Sequence, residues 1–232
     1  VARVIRNLEL QSGAVLNLGN VALTIMQNAD FAGVVTGQTF FVVLDGASAQ
    51  TANLGGNTFN EIVINNVSDS VALNQGATMR RLRLEPGTDP MQVIFQQGTT
   101  LQVREFLALG STSLTNLTLS SSTPGQAWGL QVSGYEYVRG VDVSDSDATG
   151  GDAIHPLNSE NSGGNTNWFF LPWSVWLGTS SSDFHTPGNW EPAAVPGVST
   201  GILVEAINPL VLAAAATVRE ILLGNGAQAA SL

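Results

Sequence analysis

One short stretch of the chain, residues 142–152, reads DVSDSDATGGD and is rich in carboxylates. Its acidic residues are Asp142, Asp145, Asp147 and Asp152. Asp145, Asp147 and Gly150 follow the spacing at the head of a calcium-binding loop, where alternate oxygens surround the ion and glycine allows the turn. Pro156 stands where such a loop has its bidentate Glu. The stretch therefore predicts either a calcium site or a hydrated turn in which Asp side chains accept hydrogen bonds from backbone N–H groups.

An aromatic group follows the acidic stretch. Its members are Trp168, Phe169, Phe170, Trp173, Trp176 and Trp190. Aromatic rings can stack on sugars at an exposed surface, and they can also seal a hydrophobic end or fill the junction between two units. The close spacing of the rings around Pro172 favours the junction. We therefore predict a unit junction or interface that contains Trp168, Phe170, Trp173, Trp176, Trp190, Val218, Ile221 and Leu223.

Few other residues offer catalytic chemistry. The histidines, His155 and His185, lie far apart and outside any HExxH or His-rich motif, and the chain has no cysteine. Thiolate chemistry, disulfides and Cys-based zinc sites are therefore excluded. No GxSxG motif or phosphate-binding loop motif is present. We predict a protein that is not an enzyme and that needs no cofactor, apart from the calcium that the acidic stretch leaves open.

The charge and hydropathy of the chain limit its partners. All 8 basic residues are arginine, and the net charge is −10. Nucleic acids and anionic membranes attract clustered basic residues, so the sequence argues against both as partners. No apolar run reaches the roughly 20 residues of a membrane-spanning helix. The opening segment VARVIRNLEL lacks the features of a signal peptide, and we expect a mature chain or a segment of a longer protein.

Strands must position these side chains. Short runs rich in β-branched and aromatic residues recur along the chain, and Gly, Asn, Ser or Pro separates them. Amphipathic helical periodicity is nearly absent, so the sequence predicts an all-β fold. The predicted strands cover residues 22–27, 39–46, 61–66, 91–98, 114–121, 130–134, 137–144 and 201–206.

A short motif recurs at intervals that indicate a repeat. The motif is an apolar residue, Arg, any residue and a second apolar residue, and Asn60 takes the Arg place in a related stretch. Its intervals lie near multiples of about 24 residues, which is typical of a solenoid. We therefore predict a right-handed parallel β-helix, with an antiparallel β-sandwich as the alternative. The arginines that we expect to face outward from equivalent coils are Arg6, Arg80, Arg104 and Arg219.

Two segments of the chain resemble parts of a known class of proteins. SDSDATGG (144–151) and NSENSGGNTNW (158–168) resemble the closing coil of right-handed β-helix units in large secreted bacterial surface proteins. The next segment, WLGTSSSDFHTPGNWEPAAVPGVST (176–200), is similar to the opening element before β-helical passenger regions in autotransporter-like and adhesin-like proteins. The resemblance implies three parts: a β-helix unit (1–170), a connector rich in Trp, Pro and Gly (171–200), and the start of a second β-helical segment (201–232).

The order of closing and opening segments also explains a similarity between the two ends of the chain. VREILLGNGA (218–227) aligns with IRNLELQSGA (5–14), which matches Ile221 with Leu8 and Leu223 with Leu10. The chain then spans slightly more than one repeat. Residues 201–232 either begin the next unit or complete a neighbouring subunit.

These expectations together indicate a non-enzymatic structural protein. We predict a repeat unit of an extracellular bacterial surface fibre or adhesin stalk, whose partner is itself, in a head-to-tail polymer or a tandem repeat. The alternative is a carbohydrate-active β-helix enzyme or a glycan-binding module. Because the chain has no Lys, that alternative requires an arginine beside carboxylates in a groove, and the candidates are Arg81, Arg83, Arg104 and Arg139.

Overall fold

A computed structural model describes residues 2–66, 69–86, 90–110, 117–170, 173–198, 200–204, 209–218 and 220–223. The chain divides into two compact units, Val1–Phe170 and Leu171–Leu232, which are described separately below. The strands of the first unit are β1 Arg3–Ile5, β2 Leu8–Leu10, β3 Val15–Asn17, β4 Ala22–Ile25, β5 Ala29–Phe31, β6 Val34–Thr36, β7 Phe41–Leu44, β8 Gln50–Asn53, β9 Thr58–Ile64, β10 Ser70–Asn74, β11 Ala77–Leu84, β12 Met91–Phe95, β13 Thr100–Gly110, β14 Leu117–Ser121, β15 Trp128–Val132, β16 Tyr135–Arg139, β17 Val141–Ser144, β18 Ser146–Asp147 and β19 Glu160–Gly163.

The first unit is a parallel β-solenoid of about 7 turns. One sheet has the order β1-β4-β7-β9-β11-β13-β15-β18, with β16 also paired to β13, and a second sheet has the order β2-β5-β8-β10-β12-β14-β17-β19. A short sheet pairs β3 with β6. Every ladder among the described strands of this unit is parallel, which excludes the antiparallel β-sandwich and confirms the predicted solenoid.

Stacked aliphatic side chains form the core of the solenoid. Successive coils place residues of the same kind one above another, because the parallel register repeats the inward-facing positions. In the first sheet the column is at most 1% exposed and consists of Ile25, Leu44, Ile64, Leu84, Leu109 and Val138. In the second sheet the corresponding column is fully buried and consists of Val71, Val93, Leu119 and Val143.

Amide side chains satisfy backbone groups where the coils turn. Asn74 Nδ2 donates to Oδ1 of Asn53, its register partner one coil away, over 3.0 Å. The buried Asn57 side chain donates to the carbonyl oxygens of Phe31 and Gly33 and accepts from the Val35 N–H. Corners of a solenoid interrupt the ladder, so these amides replace hydrogen bonds that the backbone cannot make there.

The recurring arginines do not share one position on the coils. Through three intervening strands, the register aligns Ile5 with Leu84. Arg6 therefore lies at the corner after β1, whereas Arg80 lies within β11, and the prediction of equivalent positions is wrong for Arg6. The inward-facing aliphatic residues align from coil to coil, but the number of residues between them and the recurring Arg differs between coils. Arg6 and Arg80 are exposed as predicted, and Arg219 lies outside the described residues.

The second unit contains a small mixed sheet. Its strands are β20 Trp173–Trp176, β21 Trp190–Glu191, β22 Gly201–Val204 and β23 Glu220–Leu223, in the order β21-β20-β22-β23. The β20–β21 pair is antiparallel, and the β20–β22 and β22–β23 pairs are parallel. A single 3-10 turn spans Pro187–Asn189. The described residues of the whole chain contain no α-helix, and among them no helix is long and apolar enough to cross a membrane.

Candidate functional site

The four aspartates of the predicted calcium site each bind a different local group. Asp142 Oδ1 accepts from Ser162 Oγ, and Asp145 Oδ2 accepts from the Gly125 N–H. Asp147 Oδ1 accepts from both the N–H and the hydroxyl of Thr149. Asp152 Oδ2 accepts from the Gly134 N–H over 3.2 Å, on the coil before it.

These bonds match the turn alternative that the sequence left open. Asp145 itself adopts φ +56°, a conformation that Asp and Asn tolerate better than most residues at tight turns. Among the residues that the structure describes, no group of three or more His, Cys, Asp or Glu side chains is arranged to hold a metal ion. The geometry favours Asp side chains as caps of backbone N–H groups, and calcium binding stays a prediction.

Two of the predicted junction aromatics lie at the last coil of the solenoid. The Trp168 and Phe170 rings stack with centroids 5.8 Å apart, and Trp168 belongs to the solenoid core. Trp168 Nε1 donates to Ser146 Oγ over 3.1 Å, which satisfies its polar atom inside the core. Phe170 is partly buried and packs against the same core. This pair covers the core at the C-terminal end of the first unit.

Trp176 and Trp190 lie in the core of the second unit. Their ring centroids are 5.0 Å apart, and Phe184 packs edge-on against Trp190. Trp190 Nε1 donates to the Phe184 carbonyl oxygen, and the buried Asn189 amide accepts from the N–H groups of two serines. These rings are buried structural residues, so they offer no exposed platform for a sugar.

The other predicted junction residues have mixed environments. Val218 packs against the second core, and Ile221 is 47% exposed. Trp173 and Leu223 lie in strands β20 and β23, and their side chains fall outside the described ones. The two ends of the sequence match thus both form strands in parallel ladders, because Leu8 lies in β2 and Ile221 in β23.

The first coil differs from the rest of the solenoid in its burial. The difference does not lie in its outward valines, because Val15 is 65% exposed and its register partner Val34 on the next coil is 51% exposed. Leu10 of this coil is buried in the core, whereas five other apolar residues that pack against the core are only partly buried, and they are Ile5, Leu8, Ala14, Leu16 and Leu18. Each described strand of this coil has one neighbour in its sheet, so its other edge leaves backbone hydrogen-bonding groups free.

A groove of about 640 Å³ lies on the surface of the first sheet. It is lined by Arg81, Arg104, Glu105, Phe106, Gly134 and Tyr135. Two of the arginines that the sequence named for the carbohydrate alternative, Arg81 and Arg104, line this groove with one carboxylate, Glu105, and not with the carboxylate cluster that the alternative required. Phe106 and Tyr135 were not predicted, because their position depends on an irregular strand register that the sequence pattern does not reveal.

An ion pair between Arg80 and Glu105 lowers the pKa of Glu105, the carboxylate that lines the groove. Arg80 Nε donates to Glu105 Oε1 over 2.6 Å, and Arg81 Nε lies 4.0 Å from Glu105 Oε2. The hydrogen bond from Arg80 lowers the pKa of Glu105, and the same contact raises the pKa of Arg80. Glu105 is therefore ionised at neutral pH and offsets one of the three neighbouring positive charges.

Glu136 places a carboxylate where the core column would continue with an aliphatic residue. The register pairs it with Leu107, which is fully buried one coil earlier. Glu136 Oε1 accepts from the His155 N–H and lies 3.0 Å from His155 Nδ1. Glu136 Oε2 is buried and has no hydrogen-bond partner within the described part of the chain. The His155 ring in turn stacks on Phe169.

Comparisons with known proteins were made by family model, by sequence and by structure. No protein-family model, no curated protein and no solved structure matches the chain. The evidence for the solenoid is the parallel register of its strands, and the resemblance to bacterial surface proteins stays a prediction.

Proposed function

We propose that this chain is a structural segment of an extracellular bacterial surface fibre or adhesin-like stalk, in which units follow one another head to tail. One observation carries the proposal, namely the incompletely covered first coil. Its inward residues Ile5, Leu8 and Leu16 are only half-buried, although the equivalent positions on later coils are closed. Burial of apolar area contributes about 25 cal/mol per Å², so a further coil on this end would be stabilising.

The backbone of the first coil supports the same proposal. β1 and β2 are edge strands of the two long sheets. An exposed edge accepts a further strand through main-chain hydrogen bonds, and it is a hazard for aggregation when it stays open. The covering coil comes either from preceding residues of a longer chain or from another copy of this one.

The second unit offers a segment of suitable chemistry for the covering coil. β22 and β23 pair in parallel, as the coils of the solenoid do, and Ile221 of β23 is 47% exposed. In the sequence match, Ile221 corresponds to Leu8 of the first coil. If the segment 201–232 begins the following unit or completes a neighbouring subunit, the contact is head to tail and does not close on itself, which produces a fibre.

The composition suits an extracellular rod. The chain has no cysteine, and its core is built from stacked aliphatic and aromatic residues. Its net charge of −10 keeps copies apart laterally, because like-charged faces repel each other. End-to-end contact through an apolar coil is then favoured over side-by-side association.

Electron microscopy and sedimentation velocity of the purified chain test the proposal. We expect rods that lengthen with protein concentration, and a continuous double-length rod from a covalent tandem of two copies. Ile5→Asp places a charge on the open coil and should leave single units. Val34→Asp, at an exposed position within the solenoid, is the matched control and should assemble like the unchanged chain. Folding of each variant is checked by circular dichroism.

Two results together would contradict the proposal. One is a folded chain that remains a single unit at every concentration. The other is a tandem chain that appears as two separate beads. The same outcome for Ile5→Asp and Val34→Asp would show that the first coil is not the contact.

A further inference from the structure

Positive charge is concentrated on two neighbouring strands of an otherwise acidic chain. The chain has 18 acidic and 8 basic residues. Four of the basic residues lie on β11 and β13, and they are Arg80, Arg81, Arg83 and Arg104. In a molecule with net charge −10, this local excess of positive charge is the place where a small anion would bind.

Ion pairs neutralise only part of this charge. Arg83 pairs with Glu61 and Glu85, and Arg80 pairs with Glu105. Arg104 makes no ion pair among the residues that the structure describes, and Arg81 reaches Glu105 only at 4.0 Å. Among the described residues, the four arginines of β11 and β13 thus face three paired carboxylates, Glu61, Glu85 and Glu105, which leaves a local excess of one positive charge.

An extra residue in β13 creates the groove. Two residues separate the inward-facing Met79 and Leu82 of β11, whereas three separate Val103 and Leu107 of β13, and the register shifts at this point. β13 pairs first with β15 and then with β16, so the neighbouring coil bends here as well. A β-bulge of this kind bends a strand and turns side chains outward.

Gly134 allows the next coil to approach closely at the bend. Its φ is +141°, and a Cβ atom there would lie 2.6 Å from the Glu105 carbonyl oxygen. Any other residue would both strain the backbone and push the coils apart. The floor of the groove is therefore held by the backbone and does not depend on a flexible loop.

A column of three side chains crosses the groove. Arg81 pairs in register with Phe106, and Phe106 pairs with Tyr135. Tyr135 is 74% exposed, although a large aromatic ring gains stability from burial. One ligand could therefore pack an apolar face on the exposed Tyr135 ring and place an anionic group against the guanidinium groups.

We propose that this groove binds a saccharide that carries carboxylate groups. A guanidinium group forms paired, charge-assisted hydrogen bonds with a carboxylate, which Arg81 and Arg104 offer. The apolar face of a sugar ring packs on the exposed Tyr135 ring, and Phe106, its register partner, adds apolar surface to the same groove. A nucleic acid is the weaker choice, because the net charge of the chain repels long polyanions while a short ligand contacts only the groove. This binding role is independent of head-to-tail assembly.

Isothermal titration calorimetry with defined oligosaccharides tests the proposal. The probes are 3′-sialyllactose and trigalacturonate, which carry carboxylates, and lactose, which carries none. We expect both acidic probes to bind and lactose to bind at least about tenfold more weakly, with affinities for the acidic probes that fall as salt is added. Lack of binding by both acidic probes to the folded chain would overturn the proposal.

Three variants locate the site. Arg104→Gln should weaken binding about tenfold, because a charged hydrogen-bond partner is lost. Tyr135→Ala should weaken binding of the acidic sugars about fivefold, and its exposure makes misfolding a small risk. Glu105→Gln should strengthen binding about threefold, since it removes the competing carboxylate.

Arg6→Gln is the matched control, because it removes one exposed arginine far from the groove strands in sequence and register. Its binding should equal that of the unchanged chain. An equal loss from Arg6→Gln and Arg104→Gln would overturn the assignment of the groove. Equally strong binding of a short poly-glutamate peptide would overturn the assignment to sugars.

Discussion

The first and last coils of the solenoid are made from the same kinds of residues but end the core in different ways. At the last coil, Trp168 is buried, its Nε1 donates to Ser146 Oγ, and Phe170 stacks on it. At the first coil, Ile5 and Leu8 are half-buried, and the described residues that pack beside them on this coil are Leu10, Ala14, Leu16 and Leu18, all aliphatic. A solenoid core that stops exposes both apolar side chains and strand edges. The strand edges are open at both ends, because β1, β2, β18 and β19 each end a sheet, so the two ends differ in how their apolar side chains are covered.

The largest expected effect comes from removing Trp168, the aromatic ring that covers the core at the last coil. Trp168→Ala deletes a large buried ring and leaves a cavity, which costs about 3–5 kcal/mol in the free energy of unfolding. Chemical denaturation of the unchanged and variant chains measures the difference. Tyr135→Ala, at an exposed ring of the same unit, is the control and should change stability by less than about 0.5 kcal/mol. A cost for Trp168→Ala below about 1 kcal/mol would mean that the last coil is not closed by this ring.

The same substitution, Ile to Ala, at the first and second coils compares how much apolar burial each coil provides. Ile5 and Ile25 are register partners in one column, but Ile25 is fully buried. Ile25→Ala should cost about 2–5 kcal/mol, and Ile5→Ala about 1 kcal/mol, because the second site already contacts solvent. Denaturation of the unassembled chain measures both values. Equal costs would show that the first coil is as closed as the second.

The polar pair near the last coil should have a smaller effect. Glu136→Ala removes the acceptor of the part-buried hydrogen bond from the His155 N–H, and the loss of one such bond costs about 0.5–1.5 kcal/mol. Glu136→Gln keeps an oxygen in place and should cost less than Glu136→Ala in the same denaturation experiment. If the two variants are equally stable, the hydrogen bond to His155 does not hold this coil.

The smallest effect belongs to the Arg80–Glu105 pair in the middle of the solenoid, away from both ends. Arg80 holds the pKa of Glu105 below its usual value of 4.5, so the pair contributes stability above that pH and loses it as the pH falls through the lowered pKa. Both side chains are largely exposed, which keeps the contribution small.

The melting temperatures of the unchanged chain and Glu105→Gln measure this contribution as a function of pH. Their difference should be constant at neutral pH and should disappear in strong acid. A difference that grows as the pH falls would contradict the assignment.

Alternating apolar residues predicted the all-β fold, and the recurring motif with intervals near multiples of about 24 residues predicted the solenoid. A coil must place Leu, Ile or Val at the same inward position each time, so Leu44, Ile64 and Leu84 mark the strands directly. The recurring Arg was a less reliable guide. Arg80 and Arg104 lie on neighbouring strands, but the extra residue in β13 pairs Leu82 with Leu107 instead of Phe106, which has the place of Leu82 in the motif.

The groove could be predicted only in part. The sequence analysis identified Arg81 and Arg104 as candidates. Tyr135 was missed because it lies on a separate strand, whose register depends on the bulge and on Gly134.

The acidic stretch is a case in which the sequence pattern indicated more than the structure brings together. Its spacing resembles a calcium loop, but the solenoid directs Asp145 to Gly125 and Asp152 to Gly134, because exposed backbone donors on the preceding coil lie nearer than a shared centre.

Hydrogen–deuterium exchange at increasing protein concentration tests the central claim most directly. In single units, the amides of β1 and β2 should exchange much faster than those of β9, which has a neighbour on each side. As units assemble, exchange in β1 and β2 should slow while exchange in β9 stays the same. Protection of β1 and β2 that equals that of β9 in single units, or that never changes with concentration, would contradict an open first coil that joins the next unit.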